Sequence, residues 1–180
     1  MKREAFSMIE LVFVIVILGV LAAVAIPRFV TTRTDAQVAM ARSDIATTLK
    51  AIPARVFAEN LDPTTSTPTG FLSWGEWMID TGGLDRARWM AQTSGTSGKP
   101  GIAPIGNVKT TGSGTHSKGN CGTIIQLDTS TGNLIFDPNQ MSGVTGGGGS
   151  GGTFCKQLNL SYPSGSNRII PLATTGAVKF

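Results

Sequence analysis

A carboxylate at the edge of a long apolar run is the group in this sequence that most clearly suggests a specific chemistry. Glu10 lies directly before residues 11–26, which are sixteen consecutive residues without a polar side chain. A charged side chain costs about 2.5–3.5 kcal/mol at the centre of a bilayer and less near the interface, so it usually has a partner or a function. A cation from a neighbouring chain could neutralise it, and breaking such a buried pair is costly. We therefore interpret Glu10 as an assembly residue rather than a tolerated interfacial acid.

Groups for catalysis or metal binding are scarce in the rest of the chain. The 180 residues include one His and two Cys, fewer soft ligands than the four of a structural zinc site. The sequence shows no catalytic set of a nucleophile, a histidine and an acid. Its glycine-rich stretches lack the strand-to-helix context of a phosphate-binding loop. We predict that the protein is not an enzyme and has no cofactor. Calcium is a minor alternative, because the turn at Asp128 faintly resembles a calcium loop but has too few acids.

The apolar run also predicts a topology. Counted back to Phe6 it has 21 residues interrupted by two polar side chains, and a helix of that length spans about 31 Å, the thickness of a bilayer core. Lys2 and Arg3 precede it, and a basic flank is retained in the cytoplasm. The sequence predicts a single-pass membrane protein with a cytoplasmic N-terminus. Its net charge of +4 does not by itself indicate a nucleic-acid-binding protein.

The N-terminal residues resemble the class III leader of type IV pilins and type II secretion pseudopilins. That pattern is a short basic leader, a small residue, Phe, two variable residues, an aliphatic residue, Glu and Leu, followed by an apolar helix. The matching residues are Phe6, Ile9, Glu10 and Leu11. Ala5 stands where the family usually has Gly. The resemblance covers residues 1–58.

The resemblance implies a pathway of processing and assembly. A prepilin peptidase would cut after Ala5 to remove a leader peptide of residues 1–5, and Phe6 would be N-methylated. Glu10 would pair with the amino terminus of an adjacent subunit. Subunits would be stored in the bacterial inner membrane and built by an inner-membrane assembly platform into a helical homopolymer, with other pilin-like subunits. The filament would be periplasmic or extracellular.

Two segments of one helix are expected after the leader. Residues 6–27 form the transmembrane and assembly helix, in which Gly19 and Pro27 would provide helix flexibility. Close helix packing is the alternative role of Gly19. Residues 28–60 continue the helix as an amphipathic segment, with Pro53 kinking rather than ending it. The apolar face recurs at steps of three and four residues and comprises Val38, Ala41, Ile45, Leu49, Ile52 and Val56.

Residues 61–180 are expected to form the globular domain. The predicted fold class is α+β and pilin-like, with the long N-terminal helix packed on a small antiparallel β-sheet. Ser73 and Glu76 have capping-box spacing and predict a short helix over 74–80, and a second is predicted within 84–92. A β-hairpin is predicted from strands at 121–127 and 133–136. Further predicted strands are 153–162, 168–172 and 177–180, and the glycine-rich residues 142–153 are predicted to be a flexible connection.

Aromatic and cysteine residues are expected to stabilise this domain. The three tryptophans are interpreted as core or subunit contacts rather than a sugar-binding surface. Cys121 and Cys155 lie outside the cytoplasm on the predicted topology, so we predict a disulfide between them, with two free thiols as the alternative. The entropy model gives such a cross-link roughly 3–4 kcal/mol.

Residues 93–120 are basic and rich in Ser, Thr and Gly. They contain Lys99, Lys109, Lys118 and His116 and no acidic residue. We interpret them as a solvated loop and do not expect DNA as a partner, because neither aromatic residues nor Arg accompany the lysines. The sequence thus favours a structural subunit of a type IV pilus-like filament. The alternatives are a type II secretion pseudopilin and a minor pilin that binds DNA for uptake.

Overall fold

The structure is a computed structural model that describes residues 7–94, 98–109, 116–141, 152–163 and 165–173. For residues 24–32, 107–109 and 116–118 it describes the backbone alone. The fold is α+β with an antiparallel sheet, as the sequence predicts. The chain divides into two compact units, Met1–Gln37 and Val38–Phe180. The predicted cleavage residues Ala5 and Phe6, the glycine-rich residues 142–151 and the predicted strand at 177–180 lie outside the described residues.

Helix α1 runs from Met8 to Ala58. It is helical at Gly19, at Pro27 and at Pro53, so the prediction that the helix continues past Pro53 is confirmed. Among the described residues, none of the helices combines the length and the apolar character needed to cross a membrane.

The C-terminal part of α1 has the buried face that its apolar spacing predicts. Ala41, Ile45, Ile52 and Val56 are between 0 and 6% exposed, and Val38 and Leu49 pack against the same core. These positions recur every three or four residues, so they share one side of the helix. The predicted amphipathic stripe is therefore confirmed within the Val38–Phe180 unit.

Helix α2, Trp74–Thr81, is positioned by the predicted N-terminal cap. The Ser73 hydroxyl accepts a hydrogen bond from the Glu76 backbone N–H at 3.2 Å, which satisfies one of the free donors of the first turn. The helix ends at Gly82, and the next residue, Gly83, has a φ of 58°. This left-handed conformation favours glycine and stops the helix.

The sheet is built from the strands β1 Trp89–Gln92, β2 Gly101–Lys109, β3 His116–Asn120, β4 Ile125–Asp128, β5 Asn133–Phe136 and β6 Arg168–Pro171. Their order is β1-β2-β4-β5-β6, and β3 pairs with β2 beside this series. Every pairing is antiparallel. The predicted hairpin is confirmed as β4–β5, although its first strand begins at Ile125 and not at Cys121 as predicted, and the predicted strand at 168–172 is confirmed as β6. A single 3₁₀ turn, Pro138–Gln140, follows β5.

The prediction of a helix within 84–92 is wrong. The Asp85 carboxylate accepts a hydrogen bond from the Ala87 N–H at 2.8 Å, and such a local bond favours a turn over a helix. Residues 89–92 then pair with β2, with Trp89 opposite Pro104. A partner distant in sequence therefore decides the structure of this segment.

Two further predictions about residues after 92 need correction. Residues 153–162, predicted as a strand, form helix α3, Thr153–Leu160. Cys155 and Leu158 are both 0% exposed, and their spacing of three places them on one buried helix face. Residues 93–120, predicted as a loop, instead contain β2 and β3, whose pairing could not be recognised in a sequence without apolar alternation.

Candidate assembly site

The first turn of α1 contains Glu10 within a capping box. The Glu10 carboxylate accepts a hydrogen bond from the Ser7 backbone N–H at 3.0 Å. The Ser7 hydroxyl in turn accepts one from the Ile9 N–H at 3.4 Å. Such reciprocal bonds satisfy donors that an exposed helix end leaves free. Ser7 and Glu10 have the same spacing as Ser73 and Glu76, and this spacing was the sequence signal for the capping role of Ser7.

This local bond leaves Glu10 able to bind a cation. A carboxylate has about four acceptor sites, and the Ser7 N–H uses one of them. The position in the first turn also suits a negative charge, because the positive end of the helix dipole lies there. Glu10 is exposed, so its remaining acceptor sites are open to a group from another molecule.

The helix surface that follows Glu10 is apolar on all sides and uncovered. Every large apolar side chain from Met8 to Leu21 is at least 42% exposed. Residues 11–18 are consecutive apolar residues, so they occupy the whole circumference of the helix, which turns once every 3.6 residues. An exposed apolar surface of this extent marks a site of contact with protein or lipid.

The two proposed flexibility residues lie in helical backbone. A Cβ added at Gly19 would meet no atom within 4 Å, so nothing in the described part of the chain requires a glycine there. Both predicted roles of Gly19, helix flexibility and close packing against another helix, are compatible with this open surface. At Pro27 the structure describes the helical backbone and not the side chain.

The predicted disulfide joins Cys121 and Cys155. Both residues are 0% exposed, and the bond links the segment before β4 to α3 across 34 residues of sequence. Gly106 of β2 lies against this bond, a contact that no local sequence pattern indicates. A Cβ added at Gly106 would be 2.7 Å from the Cys155 Sγ and 2.9 Å from the Cys121 Sγ.

The turn considered for calcium carries an ion pair. The Asp128 carboxylate accepts hydrogen bonds from the Lys99 Nζ at 2.7 Å and from the Ser130 N–H at 3.1 Å. The hydrogen bond from Lys99, followed by that from the Ser130 hydroxyl, holds the pKa of Asp128 well below its usual range. An ammonium group at this carboxylate opposes binding of a metal cation. In the described part of the chain, no three His, Cys, Asp or Glu residues are grouped to hold a metal ion.

The tryptophans are core residues, as predicted. Trp74, Trp77 and Trp89 are 1–2% exposed. The Trp89 indole N–H donates to the Asp44 carboxylate at 2.9 Å, which joins β1 to α1. Side chains buried in this way have no face open to a sugar.

Comparisons with models of protein families, with curated proteins and with solved structures find no match. The function is therefore inferred from the residues of the chain itself. The relevant features are the leader-like N-terminus, the first turn of α1 and the exposed apolar surface that follows it.

Proposed function

We propose that this chain is the structural subunit of a type IV pilus-like filament that assembles through its N-terminal helix. The main support is the combination of Glu10 in the first turn with an apolar surface exposed around the helix. A helix that is apolar on every side requires lipid or other apolar helices around it. A carboxylate at the start of such a helix requires a cation. A second copy of the chain, cleaved after Ala5, supplies both.

Cleavage provides the cation for this pairing. A prepilin peptidase removes residues 1–5 and leaves a new amino group on Phe6, which is then N-methylated and still carries a positive charge. This amine binds the carboxylate of Glu10 in an adjacent subunit. Among apolar helices the pair is strongly favoured over an unpaired acid, so correct longitudinal register is favoured over other alignments. Ser7 holds the carboxylate within the first turn while the pair forms.

The proposed pathway begins in the bacterial inner membrane, with the N-terminus in the cytoplasm. Lipid covers the apolar helix until the assembly platform adds the subunit to the filament. The domain lies outside the cytoplasm, where oxidising conditions allow the Cys121–Cys155 disulfide. The proposed architecture is pilin-like, with the amphipathic part of α1 packed on the sheet. Gly19 and Pro27 weaken the helix so that it can extend in the filament.

The test is expression in a host with a prepilin peptidase and an assembly platform, followed by mass spectrometry and electron microscopy. The expected mature protein begins at Phe6 and carries one added methyl group. Glu10→Gln removes the charge with little change in shape, and we expect at least a tenfold loss of filaments with normal membrane insertion. Unprocessed protein that starts at Met1, or unchanged filaments in this variant, would overturn the proposal.

The matched control is Glu59→Gln. Glu59 forms an exposed ion pair with Arg55, which also pairs with Asp80, and exposed pairs contribute little to stability. We expect normal processing and filaments in this variant. An equal loss of filaments in both variants would contradict a specific role for Glu10.

A further inference from the structure

The central part of the connection between α1 and α2, residues 62–70 (the α1–α2 loop), is rich in hydroxyl side chains and in proline. Its sequence is Asp, Pro, Thr, Thr, Ser, Thr, Pro, Thr and Gly. Every serine and threonine of the loop is exposed. Segments rich in serine and threonine with proline have the composition of O-glycosylated protein. Composition does not identify the hydroxyl groups that an enzyme can reach, so the structure of the loop decides this.

Buried contacts hold the α1–α2 loop on the domain. Pro63 and Pro68 are both buried. Between them, the Thr65 carbonyl oxygen accepts a hydrogen bond from the Trp74 indole N–H at 2.8 Å. Trp74 is 1% exposed, so this bond ties the loop to the core. Residues 64–67 therefore lie between two buried prolines, with their side chains in solvent.

Hydrogen bonds divide the hydroxyl groups of this loop into two kinds. The Thr64 hydroxyl donates to the Asp62 carboxylate at 2.6 Å, and the Thr65 hydroxyl donates to the Asp62 carbonyl oxygen at 2.9 Å. Such local bonds are typical of threonine in turns. Within the described part of the chain, the hydroxyl groups of Ser66 and Thr67 form no hydrogen bond. A modifying enzyme can therefore bind these two hydroxyl groups without breaking a contact of the domain.

The backbone at Ser66 and Thr67 also suits an acceptor. Both residues lie outside helices and strands, and Thr67 precedes a proline, which restricts it to extended backbone. Hydrogen-bonded turns flank them at 62–65 and 68–71. Thr69 lies inside the second turn. The two residues between the turns are therefore the accessible acceptors of the loop.

A sequon for N-linked sugar, in contrast, is closed by the structure. Asn159 and Ser161 have the spacing of the Asn-X-Ser acceptor pattern. The Asn159 amide N–H donates to the Pro138 carbonyl oxygen at 2.7 Å, and Asn159 is part of α3. The Ser161 hydroxyl donates to the Leu158 carbonyl oxygen at 2.7 Å. A sugar at this sequon would break contacts of α3, whereas a sugar on the α1–α2 loop breaks none.

We propose that the α1–α2 loop is an O-glycosylation site, with Ser66 and Thr67 as the acceptors. The hydroxyl oxygen forms a bond with the anomeric carbon of a sugar that is activated as a diphosphate ester. The bond between that carbon and the phosphate oxygen breaks, and the diphosphate leaves with the bonding electrons. A base of the glycosyltransferase takes the hydroxyl proton. The sugar gives the exposed loop a bulky polar cover, and the site does not depend on filament assembly.

The test is mass spectrometry of the full chain, purified in a nonionic detergent from the organism that carries its gene. We expect a mass above that of the polypeptide by whole sugar residues, located on Ser66 or Thr67 by fragmentation that preserves side-chain bonds. Ser66→Ala/Thr67→Ala should lose this added mass completely. The control is Ser43→Ala/Thr47→Ala, which removes one serine and one threonine hydroxyl from exposed positions of α1 and should keep the added mass.

Four results would overturn the proposal. They are a wild-type chain without sugar, sugar on Asn159 or another residue with an unmodified loop, phosphate in place of sugar on the loop, and an equal loss of sugar in the two double variants. Tryptophan fluorescence verifies that both variants are folded, since their substitutions lie at exposed positions. Processing and filament formation are measured separately, so failure here leaves the proposed function standing.

Discussion

Two regions of the same helix, α1, differ in what surrounds them. From Met8 to Leu21 every large apolar side chain is at least 42% exposed. Between Val38 and Val56 one stripe of apolar residues is part of the core of the Val38–Phe180 unit. Both regions have the same backbone conformation. The pattern of apolar residues, not helix propensity, therefore distinguishes them.

This difference indicates which contacts the chain can supply for itself. A one-sided stripe can be covered by the chain's own residues, and here it belongs to one buried cluster with residues of the sheet, α2 and α3. An apolar surface around the whole circumference needs several partners on different sides. In our proposal these partners are lipid and then other copies of the helix, so changes in the two regions should affect different measurements.

The largest expected effect comes from a pair of identical substitutions. Ile52 is 0% exposed and Ile15 is 57% exposed. Ile52→Ala leaves a cavity in the core and should destabilise the domain by about 2–5 kcal/mol. Ile15→Ala should change that free energy by less than about 0.5 kcal/mol. Urea unfolding followed by tryptophan fluorescence measures both, because all three tryptophans lie in the Val38–Phe180 unit. Equal losses of unfolding free energy in the two variants would contradict the difference between the two regions of α1.

A second contrast uses glycine. Gly106→Ala places a methyl group against the two sulfur atoms of a buried disulfide, and such overpacking costs about 1–3 kcal/mol. Gly19→Ala meets no atom within 4 Å and should instead favour helix by up to about 1 kcal/mol. We expect the denaturation midpoint to fall in the first variant and to stay unchanged in the second. Full stability in Gly106→Ala would contradict the close contact with the disulfide.

The smallest expected effect concerns charge. Asp128→Asn removes the ion pair with Lys99 and should cost about 1–2 kcal/mol at neutral pH. The pKa of Asp128 is lower in the folded protein than in the unfolded chain, so its contribution is present above about pH 4 and is lost as the pH falls further. The stability difference between wild type and variant should therefore narrow below pH 4, measured by urea unfolding. As a control, Glu10→Gln should leave the stability of the domain unchanged both at neutral pH and below pH 4. A stability difference between wild type and Asp128→Asn that stays constant with pH would contradict the lowered pKa of Asp128.

Local signals predicted several elements correctly. Ser73 and Glu76 predicted the start of α2, because a capping hydrogen bond depends on residues three apart. The turn residues 128–133 between two apolar segments predicted the β4–β5 hairpin, since the turn and the strands of a hairpin are adjacent in sequence. The pairing of Cys121 with Cys155 was also predictable, because the sequence contains two cysteines.

Elements that depend on distant partners were not predictable in this way. Residues 89–92 form a strand because β2 lies beside them, and no local pattern identifies β2. Pro104 within β2 even argues against a strand, since proline cannot donate to a sheet. Pro104 lies in the gap between the segment of β2 that pairs with β4 and the segment that pairs with β3. Its missing N–H therefore removes no hydrogen bond between strands. Helix α3 was missed because its buried face, Cys155 and Leu158, is too short for a reliable period.

For the candidate sites, the sequence by itself determined the chemistry available: one acid before an apolar run, a leader-like N-terminus and a basic segment without acids. Tertiary structure decided which of these groups meet. It paired Lys99 with Asp128, which are 29 residues apart in sequence. The physical reason is that residue type fixes what a group can bind, whereas pairing across strands and packing of helices fix its neighbours.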